Sequence, residues 1–284
     1  MVIRELLEIG RDKLKNLEYV DPLKESIYIL SKALDKDKSF IYTNLDKWVD
    51  IKEEDKYLNI IKRRALGEPI SYIFSTKEFM GIDFFVEKGV LIPRPETESL
   101  VEYIINYINT DLREEESVNV LDIGIGSGAI SLSLAKNCKI AQFLGVDISA
   151  IALRVAKKNL ERLKLTNVEF RESDLFKGIE LDKKFHIIVS NPPYIKTEVI
   201  EELQIDVKNF EPSLALDGGD DGLDFYRRIS KSAGDYLLEE GMLIYEIGYD
   251  QGEQVKEIMS REEFKKVEII KDLGGLDRIV LGFK

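Results

Sequence analysis

The chain has 284 residues, of which 44% are hydrophobic, so there is room for a full α/β domain and a smaller companion, each with its own core. A formal net charge of −12 and a pI near 4.9 disfavour sequence-independent binding to the phosphates of nucleic acid. The single cysteine, Cys138, excludes an internal disulfide, and no signal-peptide pattern or apolar run of about 20 residues stands out. We therefore expect a cytoplasmic protein that does not enter a membrane, with Cys138 buried as a small apolar residue.

Residues 1–75 carry apolar side chains at helical spacing and few segments typical of strands. Asp21 and Pro22 offer an N-cap and a first-turn proline to one of these helices. Its apolar face is predicted to comprise Leu23, Ile27, Leu30 and Leu34. The pattern predicts a small helical bundle domain, which either is structural or holds a macromolecular partner.

Residues 76–95 contain aromatic and β-branched segments broken by Gly81 and Gly89, which predicts a hairpin or an extended connector. The motif Pro93-Arg94-Pro95-Glu96-Thr97-Glu98 follows. Its Pro-x-Pro unit favours extended backbone, and a helix is predicted from Glu96. Taken alone, the acidic first turn of this helix would complement the helix dipole.

A glycine-rich turn follows the next predicted strand, residues 118–123. Its glycines would let the backbone approach a flat nucleoside, and a helix is predicted from Ser127 onward. A second strand ends in Asp147, whose carboxylate can accept hydrogen bonds from both hydroxyls of a ribose. These features indicate a cofactor that contains a nucleoside.

The identity of that cofactor stays open at this point, because the turn also matches the relaxed dinucleotide fingerprint, with an acidic residue about 20 positions further on. The fingerprint positions are Gly124, Gly126 and Ala129. Beyond a third predicted strand, residues 168–170, Asp174 is placed to accept a hydrogen bond from an adenine amine and Leu175 to pack on its ring. This pair tips the balance away from a dinucleotide, although a lone aspartate here is more typical of a turn.

The stretch Asn191-Pro192-Pro193-Tyr194 comes directly after a predicted buried strand, residues 185–190. Ligands bind at the carboxyl ends of strands in open α/β sheets, and two prolines make this loop stiff. The Asn191 side-chain oxygen and a backbone carbonyl can both accept from one NH₂ group, beside a flat wall from Tyr194. The loop therefore suits a planar amide or aryl amine, although a lone Asn-Pro-Pro is more often an ordinary rigid loop.

The rest of the chain continues the alternation of helices and strands. A loop rich in glycine and aspartate, residues 217–222, precedes a predicted helix over residues 223–238. Further strands are predicted at residues 242–246, 267–270 and 279–281. Together with the earlier strands they predict a seven-stranded, mostly parallel sheet with an antiparallel last edge.

These motifs resemble, in order, those of the HemK-type protein-glutamine N5-methyltransferases, which modify class I peptide chain release factors. The resemblance covers nearly the whole chain and rests on residues 91–98, residues 122–128, Asp147, Ser173-Asp174, the Asn191 to Tyr194 stretch and Glu211-Pro212. It implies a Rossmann-like class I methyltransferase domain over residues 96–284 and a substrate-recognition role for residues 1–75. It also implies S-adenosyl-L-methionine as cofactor, S-adenosyl-L-homocysteine as product, and no metal.

The resemblance further implies roles for individual residues. The substrate glutamine would be held by Asn191, Pro192, Pro193 and Tyr194, with Asn191, Pro192 and Tyr194 as the catalytic set. The cofactor would be held by Gly124, Ile125, Gly126, Ser127, Gly128, Asp147, Asp174, Leu175 and Asn191. One departure is His186, which stands where similar proteins usually have an acid. Because it precedes the loop by several residues, we interpret it as structural.

The expected reaction needs no metal, covalent intermediate or dedicated general base. Three other interpretations compete with it. A nucleic-acid adenine-N6 methyltransferase would use a similar loop on a flipped base, and an NAD-dependent oxidoreductase would use the glycine-rich turn. A ribosome-associated binding module would keep the fold without activity. We expect class I release factors as partners, no direct contact with nucleic acid, and a monomer.

Overall fold

A computed structural model describes residues 1–284, which divide into two compact units. One unit contains Met1–Phe74 together with Leu203–Phe210, and the other contains Ser75–Glu202 and Glu211–Lys284. None of the helices combines the length and the apolar character that crossing a bilayer requires. The inclusion of residues 203–210 in the first unit is a feature that no sequence pattern indicated.

The elements are numbered in chain order. The α-helices are α1 (Ile3–Leu14), α2 (Pro22–Ala33), α3 (Lys38–Thr43), α4 (Ile51–Ala65), α5 (Ile70–Ile73), α6 (Glu98–Thr110), α7 (Ala129–Asn137), α8 (Ala150–Leu163), α9 (Ile205–Phe210), α10 (Asp224–Tyr236) and α11 (Gly252–Arg261). The strands are β1 (Lys77–Phe79), β2 (Ile82–Phe84), β3 (Val118–Ile123), β4 (Ala141–Asp147), β5 (Val168–Glu172), β6 (Phe185–Ser190), β7 (Leu237–Glu246), β8 (Lys265–Lys271) and β9 (Asp277–Phe283).

The first unit is a helical bundle whose core comes from α1, α2 and α4. Asp21 caps α2 as predicted, with its carboxylate accepting hydrogen bonds from two backbone N–H groups of the first turn. The predicted apolar face is correct for Ile27, Leu30 and Leu34, but Leu23 is 44% exposed. Leu23 lies in the first turn, before the stripe reaches the core. A buried Arg64 on α4 pairs with Glu25 at 2.5 Å.

The second unit contains the predicted seven-stranded sheet, in the order β5-β4-β3-β6-β7-β9-β8. The five strands from β5 to β7 are parallel, and β9 is antiparallel to both of its neighbours. The predicted antiparallel edge is present, and β9 inserts between β7 and β8, which leaves β8 at the edge. A tight turn between β8 and β9 lets the last strand return inside the sheet, a placement that strand order in sequence does not reveal.

Helices cover both faces of this sheet, which explains why its central strands are apolar runs rather than alternating patterns. Successive residues of β3 point to opposite faces, so Val120 joins the core under α6, α7 and α8 while Leu121 joins the core under α10 and α11. The chain runs from β3 to one side of the sheet and later returns to β6 on the other. The carboxyl ends of β3 and β6 thus flank a topological switch point, where ligands bind in sheets of this kind.

Some predicted boundaries shift by a few residues. The helix expected from Glu96 is preceded by a 3₁₀ turn, Pro95–Thr97, so α6 starts at Glu98. The helix expected from Ser127 begins at Ala129, because Gly128 has a φ of +80° and lies outside the helical region. Residues 77–84 form the hairpin that the connector pattern allowed, with Gly81 at a φ of +68° in its turn.

Candidate functional site

A cavity of about 230 Å³ lies at the carboxyl ends of β3, β4, β5 and β6. Its lining includes Thr97, Gly124, Ile125, Gly126, Ser127, Asp147, Asp174, Leu175, Asn191, Pro192, Pro193 and Arg228. The structure therefore brings most of the sequence-predicted site residues to one place. Gly128 and Tyr194 are the two predicted residues that do not line the cavity.

The glycine-rich turn presents bare backbone to the cavity. Gly124 has a φ of +79°, and a Cβ added there would meet no atom within 4 Å. Gly126, at a φ of +54°, donates its N–H to the Asp147 carboxylate at 3.0 Å. Gly128 serves a different purpose, because a Cβ there would lie 3.0 Å from Leu132 and 3.2 Å from Ala156. The first two glycines thus leave room for a ligand, and the third allows close packing of the helix.

Asp147 ends β4 and is held by the backbone around it. Its two carboxylate oxygens accept from Gly126 N at 3.0 Å and from Ser149 N at 2.8 Å. Burial raises the pKa of this carboxyl, against the lowering effect of those two hydrogen bonds. Each carboxylate oxygen keeps a further lone pair, so Asp147 can still accept hydrogen bonds from a pair of ribose hydroxyls.

Asp174 and Leu175 follow β5 in an unusual backbone conformation. Leu175 has a φ of +53°, a left-handed geometry that costs a non-glycine residue about 1 kcal/mol. Ser173 stabilises it, with its hydroxyl donating to the Leu175 carbonyl at 2.7 Å and accepting from Gly178 N at 2.8 Å. Strain of this kind persists where the surrounding structure enforces it, often at ligand sites.

The Asp174 carboxylate is already paired with two cations. Lys177 Nζ lies 2.7 Å from one oxygen and Arg228 Nη2 lies 2.8 Å from the other, and these contacts, led by the Lys177 hydrogen bond, lower the pKa of Asp174. Sequence reasoning missed Arg228, which also lines the cavity. The arrangement leaves Asp174 ionised and fixed in position at the edge of the cavity.

Asn191 lines the cavity together with Thr97. Its Nδ2 donates to Thr97 Oγ1 at 3.2 Å, across 94 residues of sequence. Because the carboxamide is planar, this orientation turns Oδ1 away from Thr97. Pro192 and Pro193 line the cavity beside it. The loop thus brings the Asn191 carboxamide and rigid backbone to the cavity, while its contacts with a substrate stay a prediction.

Tyr194 is half-buried and packs with the core under α10 and α11. Burial raises the pKa of its phenol to about 12. Its carbonyl accepts from Gln251 Nε2 at 3.0 Å. The predicted role of Tyr194 as a flat wall for the substrate stays a prediction, while its visible contacts anchor the loop.

The loop over residues 217–222 packs against the backbone that follows Asn191. Gly218 N donates to the Ile195 carbonyl at 2.8 Å. A Cβ on Gly222 would lie 2.4 Å from the Tyr194 carbonyl oxygen, and Gly222 has a φ of +76°. Glycine is needed here because the two backbone segments touch.

Two further residues from the recognised motifs hold the segment that leads into α6. Glu211 is 7% exposed. Its carboxylate accepts hydrogen bonds from Arg94 Nη2 at 2.6 Å and from Ile92 N at 3.3 Å. The sequence showed the two motifs that contain Arg94 and Glu211, but it did not show that these residues bind each other. Their ion pair fixes the turn that brings Thr97 next to Asn191.

His186 lies on β6 and does not line the cavity. Its Nδ1 accepts from Asn119 N at 3.0 Å, and its Nε2 is 3.7 Å from the Glu115 carboxylate. These contacts are made with residues at the start of β3 and just before it. They agree with the structural interpretation of the only histidine.

The sequence matches two protein families. Residues 105–208 match the Methyltransferase small domain and residues 5–74 match the PrmC N-terminal domain. The chain is 42% identical over 286 residues to a release factor glutamine methyltransferase of Clostridium acetobutylicum, covering 100% of this chain and 99% of that protein. It is 41% identical over 279 residues to one of Fusobacterium nucleatum, covering 95% of this chain and 77% of that protein.

Solved structures resemble the fold as well. A release factor-specific protein-(glutamine-N5) methyltransferase from Alicyclobacillus acidocaldarius shares 30% identity, covers 68% of this chain and 94% of its own, and gives a TM-score of 0.44. The catalytic domain of hMettl16, solved with an RNA hairpin, gives a TM-score of 0.57 at 15% identity over 81% of each chain. At that identity the second likeness concerns the fold alone.

Proposed function

The chain belongs to the release factor glutamine methyltransferases, and from this premise we propose that its site methylates the side-chain nitrogen of the glutamine in the Gly-Gly-Gln motif of class I peptide chain release factors. The enzyme is an S-adenosylmethionine-dependent protein-(glutamine-N5) methyltransferase. Its family excludes the dinucleotide interpretation of the glycine-rich turn. The proposal concerns which residues perform the reaction and which release factors supply the glutamine.

The residues at the ends of β3, β4 and β5 fit the cofactor. Gly124 leaves free the space that a Cβ would fill, and Asp147 is a half-buried acceptor whose Oδ2 lies 3.0 Å from Gly126 N. In the proposed arrangement Gly124 to Gly128 hold S-adenosylmethionine, with Asp147 at its ribose and Asp174 and Leu175 at its adenine. When bound, this cofactor supplies an electrophilic methyl carbon on a sulfonium, which is a good leaving group.

The Asn191 loop would hold the substrate. The nitrogen of a glutamine side chain is a poor nucleophile, because its lone pair is delocalised into the carbonyl. Acceptors on both of its hydrogens, Asn191 Oδ1 and the Pro192 carbonyl, favour a pyramidal nitrogen and stabilise the positive charge that develops on it. Tyr194 completes the proposed site. The extra proton leaves the nitrogen after transfer, so no side chain is assigned as a general base.

One observation carries this proposal: Asn191 lines the cavity, and its Nδ2 donates to Thr97 Oγ1 at 3.2 Å, which leaves the amide oxygen to accept a hydrogen bond from the substrate. The bundle over residues 1–74 is proposed to seat the release factor.

Mass spectrometry of a release factor after incubation with this protein and S-adenosylmethionine tests the proposal. We expect one monomethylated glutamine, located in the Gly-Gly-Gln motif, and no product when that glutamine is replaced by asparagine. A parallel incubation with DNA and RNA and a labelled methyl donor tests the adenine-N6 alternative. Label in nucleic acid and none in protein would refute the proposed substrate.

A further inference from the structure

A buried carboxyl beside Asn191 has no role in the proposed methyl transfer. Glu246 is the last residue of β7 and is 1% exposed. Its Oε2 has no hydrogen-bond partner. Burying a carboxylate with an unpaired oxygen is costly, so its presence beside the substrate loop calls for a reason.

Three side chains from distant parts of the chain meet at this point. The register that pairs Ser190 with Tyr245 places Asn191 beside Glu246 at the ends of β6 and β7, and hydrogen bonding from the Thr97 and Asn191 side chains lowers the pKa of the Glu246 carboxyl. Asn191 Nδ2 also donates to Thr97 Oγ1 at 3.2 Å. The backbone of Glu246 is fixed as well, since the Tyr226 hydroxyl donates to its carbonyl at 3.0 Å. The cluster therefore ties the end of β7 to the turn before α6 and to the loop after β6.

The chemistry of a carboxylate makes this cluster directional. An ionised carboxylate only accepts hydrogen bonds, whereas a carboxamide has one donating end and one accepting end. Asn191 can place its nitrogen against the Glu246 anion, but its oxygen there would meet like charge. The anion thus selects one of the two amide orientations, namely the one that turns Oδ1 toward the cavity.

Resting on the proposed function, we propose that Glu246 is a positioning residue for methyl transfer, which as an anion holds Asn191 with its oxygen toward the substrate amide. Thr97 takes part in the same positioning, because in this proposal its hydroxyl accepts a hydrogen bond from Asn191 Nδ2 and donates one to the Glu246 carboxyl. Thr97 also lines the cavity, whereas Glu246 does not, so Glu246 acts only through its neighbours.

Protonation of Glu246 would release the selection, because a carboxylic acid can donate to Asn191 Oδ1. Burial raises the pKa of Glu246 to about 7, while Thr97, Arg278 and Asn191 lower it and Glu96 raises it further. The phenols of Tyr194 and Tyr226 also face this carboxyl. Turnover should therefore fall as the pH drops through about 7, although the substrate amide does not titrate there.

The test compares Glu246→Gln with wild type and with Glu239→Gln, which removes the same charge from an exposed residue of the same strand. A glutamine at position 246 can present either its nitrogen or its oxygen to Asn191, so it no longer dictates the orientation. We expect kcat at pH 8 to fall about 10- to 100-fold with little change in the Kd of S-adenosylmethionine, as for a misplaced catalytic group. We also expect the acid limb of the kcat profile to disappear in Glu246→Gln only.

A wild-type kcat and pH profile in folded Glu246→Gln would overturn the proposal. If this variant does not fold, Thr97→Val removes the other partner of Asn191 with little change in volume. It should lower kcat with unchanged cofactor affinity, and an unchanged kcat would equally overturn the proposal.

A readout without substrate separates this proposal from the proposed function. The side-chain NH₂ resonances of Asn191, assigned by their loss in Asn191→Ala, should shift with a midpoint at about pH 7 in wild type and not in Glu246→Gln. Their titration would support the positioning role even if no release factor were methylated. Resonances that do not respond to pH or to the substitution would refute it even if methylation is normal.

Discussion

The two halves of the site are built in different ways. The cofactor half uses contacts between segments closer in sequence, such as Gly126 with Asp147, 21 residues apart, and Asp174 with Arg228, 54 residues apart. The substrate half rests on distant ones, such as Asn191 with Thr97, which are 94 residues apart. Consecutive strand ends can thus form most of a nucleoside site, whereas orienting one carboxamide brings together segments that lie far apart in the sequence.

The largest expected effect separates the halves directly. Asn191→Ala removes the acceptor for the substrate amide and should lower kcat about 100- to 1000-fold, as loss of one preorganised hydrogen-bonding group does in other enzymes. The Kd of S-adenosylmethionine, measured by calorimetry, should change little. Asn109→Ala, at an exposed position of α6, is the control. Near-normal turnover in Asn191→Ala would show that the assigned role is wrong.

The second effect belongs to the cofactor half. Asp147→Ala removes the predicted acceptor for the ribose hydroxyls and should weaken S-adenosylmethionine binding about 10- to 100-fold, since hydrogen bonds to a charged group contribute about 1.5 to 3 kcal/mol. Calorimetric titration measures it, with Asp83→Ala on the exposed side of the hairpin as a control. An unchanged Kd would remove the ribose contact from the proposal.

A third change tests whether the substrate half depends on its distant support. Gly222→Ala places a Cβ 2.4 Å from the Tyr194 carbonyl at a φ of +76°, so the loop must shift. We expect a loss of about 2 kcal/mol in the free energy of unfolding, together with a reduced kcat. Gly234→Ala on α10, where a Cβ meets nothing within 4 Å, should instead stabilise by about 0.5 to 1 kcal/mol. Thermal unfolding of both variants measures these changes in stability. Equal stability of Gly222→Ala and Gly234→Ala would contradict the supporting role of the loop over residues 217–222.

The smallest effect concerns the only histidine. His186→Asn keeps an acceptor for the Asn119 N–H and should leave kcat unchanged, with a loss of less than about 1 kcal/mol in stability. A steady-state assay and a thermal melt are sufficient. A large fall in kcat without a fall in stability would mean that His186 takes part in the reaction.

Sequence reasoning found much of this site because several of its parts carry a local signal. The left-handed turn at Gly124 and the acid at the end of β4 follow from residue type and strand position. The stiff loop after β6 follows from its prolines. Glu246 carried only a weak signal, a lone acid ending an apolar strand, and Arg228 carried none, because each acts through a neighbour far away in sequence.

The sequence by itself determined the seven strands of the large sheet in their order along the chain, and it predicted a nucleoside site and the class of group that the Asn191 loop can hold, since periodicity, glycine and proline act over a few residues. The tertiary structure alone decided that β9 lies inside the sheet, that residues 203–210 belong with the helical bundle, and that Asn191 turns its nitrogen toward Thr97 and Glu246. These outcomes depend on which segments the folded chain brings together, and hydrogen-bond partners about a hundred residues apart leave no mark on the local pattern.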